Sequence, residues 1–309
     1  MTLQQFKYIV AIDDYRHFGK AAEACELTQS TLSLMVKKLE EELDVRLFDR
    51  EAHPVVPTTI GRKVIDQARV VLFNAAQIGE ITRSEKLALS GPLTLALIST
   101  VAPVLVPGLF TYINRNHPAI SLCTEEMLTP TLKEKLRKAE VDIGILASPI
   151  DDPDLLEIPL YTERFYAYVS EHDPLYACES IRTETLLQHP VWIMRNGLQL
   201  FDSTKMQEGE VLSYERFFEG GRVGTLIQIV NDNGGVTIIP ETHISLILNS
   251  LQKNLRPIEG RSQSRTISLA VRKDFIHEAR LNVIVDAVRS IIPGVLLDGM
   301  IKNNQRITL

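Results

Sequence analysis

In the stretch TQSTLSLMVKKLEEEL, from Thr28 to Leu43, Leu32, Val36, Leu39 and Leu43 step by four, three and four residues. That spacing gives an amphipathic helix one buried face. The front end is less ordinary. Gln29, Ser30, Thr31 and Ser33 crowd it with hydrogen-bonding side chains behind a good N-cap, Thr28, and Lys37 and Lys38 follow one turn on. Taken alone, this suits a capped surface helix with a solvated polar face. The flanking sequence argues for something more specific.

Upstream, Leu3, Phe6, Ile9 and Val10 lie at helical spacing, and residues 19–25 (GKAAEAC) form a small-residue helix that allows close packing. A break at Glu26-Leu27 leads into Thr28, so three short helices precede residue 44 and the last two are joined by a tight turn. This is the helix-turn-helix pattern. Downstream, VRLFDREAHPVVPTT (45–59) places two apolar runs around a charged turn, which predicts a small β-hairpin. Next to such a wing, the polar tip is expected to enter a DNA groove. Gln pairs with adenine, Ser and Thr contact base edges or phosphates, and Lys supplies charge to the phosphates.

From Thr59 to about residue 87 runs a single long helical pattern, with Ile60, Val64, Ala68, Val71, Ala75 and Ile78 close to a heptad seam. A stripe that narrow favours pairing with a second copy over packing on its own chain. Ser90-Gly91-Pro92 ends it, and strands then alternate with helices: strands at 93–99, 120–127 and 141–147, helices at 104–116 and 131–140, and a last helix at about 277–292. That rhythm predicts an α/β region with largely parallel sheets. The domains expected are a winged helix-turn-helix (1–58), a linker helix (59–89) and an effector-binding region (90–309).

The chain has 309 residues and a net charge of −6; residues 1–90 hold six Lys and six Arg against thirteen Asp plus Glu. DNA binding must therefore rest on where the cations face, because affinity follows local phosphate contacts and not total charge. No apolar run approaches a membrane span, Asp13 and Asp14 interrupt any leader-like start, and three scattered cysteines suit a reducing cytoplasm. No nucleotide-binding glycine loop or zinc-hydrolase motif occurs, and the seven histidines are scattered. Asp151, Asp152 and Asp154 read as a solvated loop. No catalytic residue, metal or cofactor is expected, and no membrane partner.

The run FGKAAEACELTQSTLSLMVKKLEEELDVRLFDR, followed by PTTIG and a long helix, resembles the N-terminal domain of LysR-type transcriptional regulators. The resemblance implies an α/β fold class: an N-terminal all-α winged helix-turn-helix, a linker helix and a two-lobed, periplasmic-binding-protein-like effector domain. Lobe I would take about 91–161 and 265–309, lobe II about 162–264. It places Gln29, Ser30, Thr31 and Ser33 in the major groove and Lys37, Lys38, Arg50 and His53 near phosphates or the minor groove. Two positions depart from the family: Leu34 stands where a basic residue is frequent, and Pro57-Thr58 where Leu-Thr is common. The implied partners are double-stranded DNA with pseudo-palindromic half-sites, a second copy in a homodimer, a homotetramer built through the α/β domains, and RNA polymerase.

Within the family, GPLTLALISTVAPVLVPGLF and EIPLYTERFYAYVSEHDPL resemble the peroxide-sensing OxyR branch. Where that branch has its peroxidatic cysteine this chain has Gln199, with Glu208 near the place of the second cysteine. An amide forms neither a sulfenic acid nor a disulfide, so a small-molecule effector is expected instead. Cys25 and Cys123 are expected to be packed in the core, which leaves Cys178 as the candidate for an alternative redox response. By resemblance the effector lies between the lobes. Ser99, Thr100 and Thr129 are its expected contacts at strand ends, and Arg195, Gln199 and Thr225 those from the other lobe, Arg195 pointing to an anion.

Overall fold

The computed structural model describes residues 1–81, 89–189, 191–194, 217–218, 222–260, 264–275, 277–303 and 306–307. The chain divides into two compact units: residues 1–88 with 134–141, and residues 89–133 with 142–309.

The first unit opens with α1 (Leu3–Tyr15), held at its start by a capping box in which Thr2 and Gln5 bond each other's backbone N–H. In α2 (Phe18–Ala24) the His17 ring takes the cap role, its Nδ1 accepting from Gly19 at 3.0 Å and Lys20 at 3.3 Å. Thr28 caps α3 (Gln29–Leu43), and Asp44 closes it in the left-handed region. Leu32, Val36 and Leu39 are fully buried against Ile9, Ile12, Ala21 and Ala22, whereas Leu43 packs only partly. The expected hairpin is present as β1 (Phe48–Asp49) and β2 (Val56–Pro57), paired antiparallel.

The helix α4 (Thr59–Ile81) starts where Thr58 Oγ1 accepts from the Gly61 N–H at 2.9 Å. A Cβ at Gly61 would stand 1.9 Å from the Leu47 carbonyl oxygen, so the glycine lets the helix cross the hairpin backbone. The apolar stripe of α4 divides. Ile65 and Ala68 are buried in the core of the first unit, while Ile60 and Ile78 are 45% and 68% exposed. Asp13, almost fully buried on α1, receives Arg16 and Arg62 at 2.9 Å and Arg69 at 3.1 Å, and so fastens α1 to α4.

The second unit begins with β3 (Gly91–Ile98), α5 (Ala102–Asn116), β4 (Ile120–Met127), α6 (Thr129–Arg137) and β5 (Ile143–Ala147). Helix α5 starts two residues earlier than the sequence suggested, with Pro103 in its first turn and Pro107 inside it. Proline at a helix start loses no hydrogen bond, and that favours the earlier boundary. Next come β6 (Leu155–Val169), β7 (Ile181–Arg182), α7 (Thr183–Leu187), β8 (Val191–Met194), β9 (Phe217–Phe218), α8 (Val223–Asn233), β10 (Val236–Pro240), β11 (Leu255–Glu259) and β12 (Ser264–Arg272). Helices α9 (Glu278–Ile291) and α10 (Gly299–Lys302) close the unit.

These strands form one ten-stranded sheet whose main path runs β4-β3-β5-β12-β6-β10-β8-β9. The parallel expectation holds at both ends, for β4-β3-β5 and for β10-β8-β9, but not in the middle. There β12 runs antiparallel to β5 and β6, and β10 antiparallel to β6. The reason is topological: the chain leaves lobe I along β6 and returns along β12, so the two crossing strands point in opposite directions. The fifteen-residue β6 is the spine, pairing with β12 through Arg164 and with β10 from Phe165 onward. Past that switch its side chains alternate between two cores, with Phe165, Ala167 and Val169 on one face and Tyr166 and Tyr168 on the other. Cys123 departs from expectation: it is exposed, because β4 is the terminal strand of the path and one of its faces meets solvent.

Candidate DNA-contact helix and effector cavity

At the tip of α3, Thr28 Oγ1 lies 3.0 Å from Ser30 Oγ and 2.8 Å from Thr31 Oγ1, which groups three hydroxyls around the helix start. Gln29, Ser30, Leu34, Lys37, Lys38 and His53 are exposed, and Thr31 and Ser33 half-exposed. Opposite them the same helix buries Leu32, Val36 and Leu39. Lys37 lies 3.6 Å from Glu41 one turn on, an exposed pair of small energetic weight.

Arg50 has a different setting from a free phosphate contact. Its Nη2 donates to Glu40 at 2.8 Å, its Nη1 to Ser33 Oγ at 3.4 Å, and the guanidinium lies 5.4 Å from the centre of the Phe18 ring. Part of its charge is therefore committed inside the domain. The other oxygen of Glu40 accepts from the Leu47 N–H at 2.7 Å, so one carboxylate on α3 orients both the wing and its arginine. The sequence reading missed Glu40, since an exposed-looking glutamate in LEEEL carries no local sign of that role.

In the second unit a cavity of about 670 Å³ opens between α5 and β4 on one side and α8 and the turn at 241–247 on the other. Its wall is mostly apolar, with Leu97, Val106, Pro107, Val223, Ile227 and Ile247 contributing. Of the residues expected to hold an effector, Thr225 lines it, while Ser99, Thr100 and Thr129 do not. Arg195 and Gln199 lie outside the described residues, as does Glu208.

Thr100 already has a partner. Its hydroxyl accepts from Arg265 Nη1 at 2.8 Å and its carbonyl from Nη2 at 3.3 Å. Arg265 Nε in turn donates to Glu163 at 2.8 Å, and the second oxygen of Glu163 accepts from the Thr242 hydroxyl at 2.6 Å and the Thr242 N–H at 3.2 Å. This buried network joins the loop after β3, the two crossing strands and the turn after β10. Thr100 is a strut within it and not a free ligand contact. Ser99, beside it, is also buried.

His243, next to Thr242, was not singled out by the sequence. It lines the cavity, is 3% exposed, and neither of its ring nitrogens has a hydrogen-bond partner. Burial, reinforced by the nearby Arg265 charge, pushes its pKa down to about 4. The imidazole is therefore neutral at physiological pH.

The two units correspond to two known modules. Residues 3–62 match the bacterial regulatory helix-turn-helix protein, lysR family, and residues 87–291 the LysR substrate binding domain. The chain belongs to the LysR family. It is a LysR-type DNA-binding transcriptional regulator whose α/β domain carries the effector response. Among similar LysR-type proteins, the hydrogen peroxide-inducible genes activator of Haemophilus influenzae is 29% identical over 96% of this chain and 100% of its own length. The DNA-binding transcriptional dual regulator OxyR of Escherichia coli is 28% identical over 95% and 97%. The regulator EstR of Acinetobacter baylyi is 28% identical over 94% and 97%. A full-length OxyR from Pseudomonas aeruginosa, solved as a cysteine-to-aspartate variant, superposes with a TM-score of 0.83 at 31% identity over 97% and 98%. These relatives are transcription regulators. No described helix is long and apolar enough to cross a membrane.

Proposed function

We propose that Gln29, Ser30, Thr31 and Ser33 read base edges in the major groove while Lys37, Lys38 and His53 hold phosphates. Arg50 contributes from the wing with the part of its guanidinium that Glu40 leaves free. The observation that carries this is the two-sided burial of α3: three leucine and valine side chains fully enclosed, with the hydroxyl and amide tip exposed on the other side. The domain limits 1–58, 59–89 and 90–309 follow the same reading. In it, exposed Ile60 and Ile78 on α4 meet their equivalents on a second copy, which presents two recognition helices to pseudo-palindromic half-sites in the cytoplasm. Pairing of α/β domains into a homotetramer and contact with RNA polymerase belong to this model. So does an effector held by Thr225, with Ser99, Thr129, Arg195 and Gln199 nearby. The anion suggested by Arg195 gains no support from the described cavity wall, which carries Glu125 and Glu126.

The test is selection of duplex fragments from a random pool, followed by affinity measurements at several salt concentrations. Gln29→Ala should relax preference at one base pair, a change of about 1–3 kcal/mol. Lys38→Ala should weaken all sequences alike and reduce the salt slope by about one. No enrichment of any sequence by the wild-type protein would refute the reading.

A second reading, a redox response through Cys178, draws on the peroxide-inducible relatives. Cys178 is half-buried beside the core of lobe II. Peroxide treatment followed by mass spectrometry and DNA binding separates the two: reversible oxidation at Cys178 that alters DNA affinity selects the redox reading, and unchanged affinity rejects it.

A further inference from the structure

His243 sets the chemistry of the cavity. A buried polar group left unpaired costs roughly 1–3 kcal/mol, and the large majority of buried side-chain polar atoms have a partner. Here both nitrogens of one ring lack one, at the wall of a space of about 670 Å³, within the size range of small-molecule sites. A neutral imidazole offers one N–H donor and one lone pair. The group that answers both is a hydroxyl, which accepts from the first and donates to the second. Elsewhere the wall is apolar, and its exposed charges are unbalanced, Glu125 and Glu126 against Arg222. An anion entering there meets two carboxylates for one guanidinium, whereas an uncharged molecule meets no such repulsion.

We propose that this cavity binds an uncharged, largely apolar molecule bearing a hydroxyl group, which exchanges hydrogen bonds with His243. The inference rests on the effector-modulated reading above and names the class of effector. The network beside the cavity gives such a ligand a route to the fold. His243 follows Thr242, which Glu163 holds, and Ala102 on the facing wall lies two residues after Thr100, which Arg265 holds. A molecule seated between them touches both ends of the chain of contacts that joins the lobes.

The experiment is equilibrium dialysis of the full-length protein at pH 7.5 with 4-phenylphenol, biphenyl and biphenyl-4-carboxylate. Saturable binding of one 4-phenylphenol per chain is expected, with biphenyl at least fivefold weaker and the carboxylate at least tenfold weaker. His243→Phe should bring the phenol and the hydrocarbon within twofold of each other, and Val106→Trp, which fills the space, should abolish both. Retention of duplex fragments enriched by the wild-type protein shows that each variant is folded, and it separates the two ideas. If the phenol does not saturate, if the carboxylate binds best, or if His243→Phe keeps the phenol preference, the inference is overturned while DNA binding stands. If the wild-type protein enriches no duplex, the regulatory reading itself has failed.

Discussion

The depressed pKa of His243 makes stability depend on pH in a defined window. Unfolded, the ring titrates near its ordinary value of 6.5; folded, burial and Arg265 hold it at about 4. The unfolded chain therefore binds more protons between those values, and stability falls as pH drops through 6.5 toward 4. Above the window His243 contributes nothing to the slope. The full gap of about 2.5 units is worth about 3 kcal/mol at about 1.4 kcal/mol per unit, and about 2 kcal/mol of it is already lost at pH 5. The ring is 3% exposed, so solvent screening takes little from this figure. His243→Leu removes the titration without adding a polar group to the core. Between pH 7.5 and pH 5 its unfolding free energy, measured in urea, should improve relative to wild type by about 2 kcal/mol. Proton NMR of the seven histidines, with the variant assigning the missing resonance, gives the pKa directly. A His243 resonance titrating near 6.5, or parallel stability curves for the two proteins, refutes the reasoning, because either result means that water reaches the ring and satisfies it.

Other perturbations are as specific. Gly61→Ala sets a methyl 1.9 Å from the Leu47 carbonyl and should cost about 3 kcal/mol in the first unit, read as a lower unfolding midpoint with weakened DNA binding. Asp13→Asn removes the charge shared by Arg16, Arg62 and Arg69, and a loss of about 3 kcal/mol that persists in high salt is expected from chemical denaturation. Glu163→Gln leaves the Arg265 guanidinium buried without its counter-charge. A loss of about 3–5 kcal/mol confined to the second unit should follow, detected by hydrogen exchange at 99–102 and 241–247.

Local periodicity was enough to find the DNA-contact helix. Leu32, Val36 and Leu39 sit at helical spacing in the sequence and are all fully buried, and Thr28 caps the helix as its side chain predicts. The hairpin was legible for the same reason, since both of its strands and the turn lie within fifteen residues. The middle of the sheet was not. Strand alternation signals a parallel sheet, but whether a crossing strand returns antiparallel depends on where the chain re-enters lobe I, about a hundred residues later. Arg265 meets Glu163 across 102 residues and Thr100 across 165, distances over which no hydrophobic period carries information. His243 in ETHISL and Glu40 in LEEEL look like surface residues until tertiary packing encloses one and engages the other. Cys123 erred the other way: its strand was correctly expected, but its place at the sheet edge was not.

The relatives named for peroxide induction and this chain share a scaffold, and Gln199 changes what can act on it. A covalent switch derives its energy from a new bond, so a weak stimulus can drive it to completion. A noncovalent effector must supply the bias through differential binding alone, and moving a two-state equilibrium from about 1:99 to 99:1 takes roughly 5.5 kcal/mol. Burying about 200 Å² of apolar ligand surface at about 25 cal/mol per Å² yields roughly 5 kcal/mol. The mainly apolar wall around His243 is therefore of the right order, provided that it exists in only one lobe arrangement. The buried struts from Thr100 through Arg265 and Glu163 to Thr242 make that condition plausible on physical grounds. An ion pair held in a dry interior has few alternative geometries, so lobe movement must exchange its contacts as a unit and cannot stretch them gradually. A wall built on both ends of such a network changes shape when the network does. That difference between two states is what an effector needs in order to select one.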